Sequence, residues 1–299
     1  MVTPNFLDLL DARFKNIWQE QYDRYPKRYE TLLNVLKSDR AYEKHSAVTG
    51  FGAIPVKDEL ADITYDVRYQ GYDKTYTHLT YARGFKIADE MIEDDLFNVM
   101  AQSPKAMGTA VGQTIETLAA SIFNNGFDVT NYPGPNAMAL LDTSHPSEDG
   151  SARTFDNIAT AAALTHSTLA ACRLRMRKMD DPRGFPILLD AKYVVVPPDL
   201  EETAKIIVMT DRKSGSANWD YNLLNNSGLE VIVWPHLSST TAYFMMCPKG
   251  QHKINWYWRK RPEFERDKDF DAGAAKWKTR MRLSYGWDNF RGIDGNAGA

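Results

Sequence analysis

Five residues that could do hydrolytic chemistry stand together in the stretch LLDTSHPSEDG, residues 140–150: Asp142, Ser144, His145, Glu148 and Asp149. A serine nucleophile needs a histidine to take its proton and a carboxylate to orient that histidine. Here the serine and the histidine are adjacent, whereas a catalytic pair normally comes from separate elements. No Gly-x-Ser-x-Gly elbow surrounds the serine. With Pro146 setting a turn, the spacing favours a polar loop over a triad. A second candidate is EMIEDDL, where Glu90, Glu93, Asp94 and Asp95 cluster. Carboxylates suit hard cations, but a site needs several oxygens at defined positions. Acids in the first turns of a helix, stabilised by its dipole, are the simpler reading. A third is CRLRMRK, residues 172–178, which puts Arg173, Arg175, Arg177 and Lys178 on a helix, as a solvated face or a polyanion contact. The sequence has no Gly-rich phosphate loop, His-Glu-x-x-His or Cys-x-x-Cys. These residues predict no catalytic, cofactor-binding or metal site, and no enzyme.

Composition narrows the classes further. The chain has 299 residues, 43% hydrophobic and 25% charged, ordinary values for a soluble globular protein. Such a length buries a full core without staples. Lys+Arg of 36 against Asp+Glu of 39 leaves a net charge of -3, which excludes a general nucleic-acid coat but allows local basic faces. Cys172 and Cys247 match no metal spacing and read as reduced thilols of a protein made in a cytoplasm. No apolar run approaches the roughly 18 residues of a membrane span. MVTPNFLDLLDARFKNIW lacks a signal-peptide pattern.

The elements that must position these groups can be read from periodicity. Phe6, Leu9, Leu10, Phe14, Ile17 and Trp18 recur at helical spacing in an apolar arm over 5–36. In 48–88, Ile63, Tyr65, Val67 and Tyr69 alternate with polar residues, a turn signal follows at Gly71 and Asp73, and YTHLTYARGFKIA forms a second run. This predicts a long hairpin, which packs on its own domain or covers a neighbour. A helix at about 89–101 precedes a longer one. In the latter Ser103 is the cap, Pro104 the first residue, and Gly126 the end. Met107, Val111, Ile115, Leu118, Ile122 and Phe123 form its stripe; Thr114, Glu116, Thr117, Ser121 and Asn124 fall off it. Residues 160–248 read as an α/β unit, with helices at 160–179 and 199–209 and strands at 185–198, 229–235 and 241–248. The unalternating Val194–Val196 suits a strand buried on both faces. The runs 254–266 and 275–286 should pair. In the second, Trp277, Thr279, Met281, Leu283 and Tyr285 make an apolar face, and Lys276, Lys278, Arg280, Arg282 and Ser284 a basic one.

Taken in order, the arm, GFGAIPVKDELADITY, GFKIADEMIEDDL, the long Pro-started helix, LLDTSHP, YVVVPPDLEETAK and RLSYGWDNFRGIDGN resemble the major capsid proteins of tailed bacteriophages. The match spans about residues 45–295, and order carries it more than any single motif. The resemblance implies an α+β Hong Kong 97-type fold. It would have an N-terminal arm (1–47), an extended β-hairpin loop (48–88), a peripheral domain (89–149 and 250–299) with spine helix 104–125, and an axial domain (150–249). It implies a major head protein that assembles as hexamers and pentamers into an icosahedral shell around double-stranded DNA. In this family LLDTSHP is a structural loop. Ile63, Tyr65, Val67, Tyr69, Tyr72 and Tyr76 would contact a neighbouring subunit. Met107, Val111, Ile115, Leu118 and Ile122 would be the core face of the spine helix. Lys278, Arg280 and Arg282 would be candidate inner-surface basic residues. The implied partners are copies of the chain itself, a separate scaffolding protein, a portal protein at one vertex, the packaged DNA through non-specific contact, and a decoration protein. No membrane and no cofactor is implied. The separate scaffold follows because the ribbon starts near residue 48, leaving no room for the long scaffolding prefix of some members. Lys57, Lys74 and Asn289 do not suffice to claim the type member's crosslink. Two other readings stand beside this one: an encapsulin-type nanocompartment shell, and a hydrolase using Asp142, Ser144 and His145.

Overall fold

Two four-stranded sheets share one long helix. The computed structural model describes residues 4–88, 90–91, 99–213, 220–269 and 273–299. The shared helix, α3, follows two helices in the N-terminal region, α1 (Pro4–Arg24) and α2 (Arg28–Leu32), and itself runs Gln102–Asn124. At 1.5 Å per residue its 23 residues span about 35 Å. It begins earlier than the Ser103 signal predicts. A 3-10 turn at Val99–Ala101 winds straight into it, and Ala101, already helical at φ -66, takes the cap position. Met107, Val111, Ile115, Ile122 and Phe123 are buried as the stripe predicts; Leu118 is half-buried against the same core, and Thr117 is exposed.

Glu116 departs from the pattern. It lies off the stripe yet is 1% exposed. The cause is a second covered face. Gly108 and Gly112 stand four residues apart, on one row, and let α1 approach closely. A Cβ on Gly108 would meet the Trp18 carbonyl oxygen at 2.7 Å, and one on Gly112 the Tyr25 ring at 2.5 Å. Glu116 is the next member of that row and is sealed under the start of α2. In α1, Phe14, Trp18 and Tyr22 are buried at four-residue spacing. Trp18 stacks on Tyr22 and Phe264, and Phe14 lies against Trp277. The arm therefore packs on its own subunit.

The first sheet has the order β1-β10-β11-β4, with β1 Asn34–Lys37, β4 Leu79–Ala88, β10 Ile254–Asp269 and β11 Ala274–Trp287. The predicted pairing of the two long C-terminal runs holds, and Trp277, Met281 and Leu283 face the core. The predicted 48–88 hairpin does not form. Instead β2 (Tyr42–Val48) pairs with β3 (Gln70–Thr77), β4 pairs with β11, and residues 51–69 form no strand. Gly71 and Asp73 thus sit inside a strand and not in a turn. Burial explains the outcome: pairing with β11 stacks Phe85 on Trp277 and buries Ile87, which a lone hairpin cannot do. His78 marks the changeover, buried between Ser38 and Ser284, with both ring nitrogens 3.0 Å from their hydroxyls.

The second sheet has the order β12-β9-β7-β8, from β7 (Tyr193–Val196), β8 (Glu230–Val233), β9 (Tyr243–Met246) and β12 (Ile293–Asn296). Here β7 and β8 are parallel around α5 (Glu201–Met209), and every residue of β7 is buried. The preceding helix, α4 (His166–Arg177), starts at a reciprocal cap between Thr165 and Thr168, later than the sequence suggests. The strand expected over 185–198 shrinks to four residues. The division at residue 249 also shifts, because β12 returns to pair with β9. Phe123 at the end of α3 packs against Trp234 and Phe244 of this unit. Two short strands, β5 (His145–Pro146) and β6 (Thr154–Phe155), close the intervening loop. Among the described residues no helix is long and apolar enough to cross a membrane.

The close approach of α1 generates a direct test. Gly112→Ala must push Tyr25 away and should destabilise the subunit by about 1–3 kcal/mol in chemical denaturation. Thr117→Ala, on the exposed face, should stay within about 0.5 kcal/mol of wild type.

Candidate assembly surfaces

The histidine of the LLDTSHP loop is wholly buried. His145 lies flat on Phe290, ring centroids 3.8 Å apart, in a pocket built by Asn136 and Asn157. Its Nε2 lies 3.0 Å from Asn157 Oδ1, which only accepts, so Nε2 carries the hydrogen. Its Nδ1 then accepts from Asn136 Nδ2 at 2.9 Å. Burial pushes the ring's pKa down to about 4, so it stays neutral. Ser144 donates to Asp142 Oδ1 at 3.1 Å instead. The pair expected for a hydrolase is thus divided between two separate networks, and the imidazole has no free nitrogen. Asn157 is the hub. Its amide donates to the carbonyls of Leu140, Phe290 and Ile293, and its Oδ1 also accepts from the Asp142 N–H.

The arginines of α4 pair with carboxylates of their own subunit. Arg173 and Arg177 pair with Asp190, and Arg175 forms a bidentate pair with buried Asp294 at 2.6 Å. Arg291 and Glu148 make a second buried pair at 3.2 Å, with Arg291 also donating to the Asp180 carbonyl. Breaking either pair would strand a buried charge. Both cysteines are buried, and burial raises their thiols, Cys247 to about 12, leaving them unreactive at neutral pH. Of the acidic cluster, Glu93, Asp94 and Asp95 lie outside the described residues. Among those described, no group of His, Cys, Asp and Glu could hold a metal.

Glu116 is enclosed between α3 and the start of α2. Its Oε1 accepts from the Tyr29 N–H at 3.2 Å, while Oε2 has no hydrogen-bond partner among the described residues. Burial raises its pKa to about 7.

Two surfaces are left open. The basic face of β11 is interleaved with acids of β10: Glu263, Glu265 and Asp267 stand opposite Arg280, Lys278 and Lys276. Lys278 bonds Glu265 at 3.1 Å, and Arg280 and Arg282 are half-buried. The other surface is the 51–69 segment, where Phe51, Ile54, Val56, Leu60, Ile63, Tyr65, Val67 and Tyr69 are exposed. Tyr72 and Tyr76, grouped with them by sequence, behave differently. Tyr72 is half-buried beside the Pro146 and Ser147 carbonyls. Tyr76 is 2% exposed and donates to Asp288 inside its own subunit. Asn157, Arg291 and Glu116 carried no sequence signal as polar anchors.

Comparison with known proteins places this geometry. The fold superposes on the capsid of cyanophage P-SCSP1u with a TM-score of 0.60, at 12% identity, over 91% of this chain and 88% of that one. It superposes on the capsid of bacteriophage JBD30 decorated with minor capsid protein trimers with a TM-score of 0.55, at 15% identity, over 71% and 91%. A virus-like particle from Pyrococcus furiosus gives 0.58 at 6% identity, over 96% and 99%. At such identities these likenesses speak for the fold alone, a mixed α+β fold of the Hong Kong 97 type. No curated protein sequence matches the chain. The profile of the family described as phage capsid protein matches residues 71–293, about three quarters of the sequence. The chain belongs to that family: it is a structural protein of the virion shell and not an enzyme.

Two outcomes follow from the buried polar groups. His145→Ala should cost about 2–4 kcal/mol by unstacking Phe290 and removing the acceptor of Asn136 Nδ2, while Ser144→Ala should be nearly neutral, both read by denaturation. For Glu116 the folded pKa is raised from 4.5 to about 7. Between those values the folded state holds a proton that the unfolded state has lost. Its contribution is full below the ordinary carboxylate range and is lost as pH rises through about 7. Glu116→Gln should therefore gain stability relative to wild type between pH 5 and 8, by about 3 kcal/mol at most.

Proposed function

We propose that this chain is the major head protein of a tailed phage, which closes as hexamers and pentamers into an icosahedral shell around double-stranded DNA. The observation that carries the reading is the 51–69 segment. It leaves eight large apolar side chains in solvent, on a neck formed only by β2 and β3. A monomer gains nothing from such a segment, and exposed apolar stretches of this kind mark interaction sites. In the assembled shell, Ile63, Tyr65, Val67 and Tyr69 cover an adjacent copy, while Tyr76 serves as an anchor within the subunit. The α/β unit, with β12 added, is the axial part around each hexamer or pentamer. The α3 helix and the long sheet are the peripheral part, with Met107, Val111, Ile115, Leu118 and Ile122 supporting it. Each contact can stay modest because every subunit makes several.

The remaining partners belong to the same reading. A separate scaffolding protein guides assembly, and a portal occupies one vertex. The DNA is held by non-specific contact, to which Lys278, Arg280 and Arg282 contribute weakly because acids of β10 stand opposite. The JBD30 capsid carries minor capsid protein trimers; a decoration protein on this shell is proposed by analogy.

Replacing residues 53–65 by a short Gly/Ser turn tests the loop. The excision spares β3, β4 and buried Tyr76. The variant should stay soluble and melt within about 3 °C of wild type, since it loses few buried contacts. It should no longer close into shells by sedimentation and electron microscopy, under conditions where wild type co-expressed with its scaffold does. An unfolded variant, or one that closes normally, would contradict the reading.

A further inference from the structure

The 51–69 segment has no strand pairing of its own, yet it leaves the neck in one direction. A single side chain from the α/β unit touches both of its limbs. Arg183 donates from Nε to the Gly50 carbonyl on the outgoing limb at 3.3 Å. On the returning limb its Nη2 donates to Asp66 Oδ1 at 3.3 Å and to the Val67 carbonyl. Its guanidinium also sits over the Tyr69 ring, 5.0 Å from the centroid.

The residue is presented by a built turn. Asp181 Oδ1 accepts from the N–H groups of Arg183 and Phe185, both at 2.8 Å, and the Asp181 N–H donates to the Phe185 carbonyl at 2.7 Å. Gly184 takes φ +90, which a residue with a side chain rarely adopts. Arg291 fixes the start of the turn through the Asp180 carbonyl. The limbs are also ready to be held together. Thr49 and Tyr69 exchange hydrogen bonds, Arg68 donates to the Thr49 carbonyl, and the Gly52 N–H donates to Asp66 Oδ2 at 2.6 Å.

We propose that Arg183 is the positioning residue of the loop: it clips the two limbs together and to the α/β unit, and so aims the apolar segment before a neighbour arrives. A planar fork holds its donors in fixed, spread directions and stacks on a ring at the same time; a lysine ammonium is a compact point charge with neither property. Aiming the loop in the free subunit removes ordering entropy from the assembly step. This deepens the assembly reading above and depends on it only for the second of two readouts.

The first readout is hydrogen exchange on dissociated subunits. In Arg183→Ala and in Arg183→Lys, the amides of Thr49, Gly52 and Tyr69 should exchange about tenfold faster or more, with protection elsewhere and the melting temperature unchanged. Asp66→Asn, which leaves the turn untouched, should give the same local pattern more weakly and covers the case of an arginine variant that does not fold. The second readout is the fraction of chains in closed shells on co-expression with the scaffold, which should fall several-fold in Arg183→Ala. Unchanged exchange at the neck would overturn the proposal. So would a loss of protection spread over the whole chain, which would make Arg183 a general stabiliser. Wild-type chains that never close into shells would count against the assembly reading, and neck exchange would still decide the clip.

Discussion

Everything in this subunit leans on the burial of α3 from three sides. One face takes α1 at the Gly108–Gly112 row, another the long sheet, and the far end meets the α/β unit through Phe123. A helix covered in this way cannot tilt without opening a cavity in one of three places, and packed interiors resist that strongly. The two sheets are held in one orientation by a shared rod as well as by their connections. Asn124 donates to the His236 carbonyl and accepts from the Ser238 N–H, which fixes the rod's end to the α/β unit.

The contrast between body and loop is the other organising fact. In the body, even awkward groups are accommodated: His145 is stacked and bonded on both nitrogens, and Asp294 and Glu148 each have an arginine. In 51–69 eight large apolar side chains are left exposed. A chain that buries large apolar side chains throughout its body, and leaves eight of them exposed in this one segment, keeps a block of unused binding energy there.

How much was legible in the sequence depended on how local the deciding contacts were. The α3 stripe and the alternating β11 were readable because each presents its core face with its own period. A hairpin is expected over 48–88 because the alternating runs at 63–69 and 76–88 look like partners; it does not form because β4 gains more from Trp277, almost two hundred residues away in sequence. Glu116 was misplaced because helical periodicity reveals one buried face, and the second arises from two glycines whose role appears only with α1 in place. The structural reading of Ser144 and His145 was available from their adjacency. What seals His145 in, Asn157 and Phe290, is spread over the chain and has no pattern. Arg183 belongs to the same class: nothing near it in sequence announces what it touches.

The return of β12 to the second sheet has a consequence for biosynthesis. Residues 293–296 pair with β9, and Gly295 donates to the carbonyl of Asn157, so the sheet and the polar hub close together. A chain still being translated can build α1, α3 and most of β7–β9, but its α/β unit keeps an open edge until Asn296 has emerged. Unfinished chains therefore lack a completed unit to offer to finished ones.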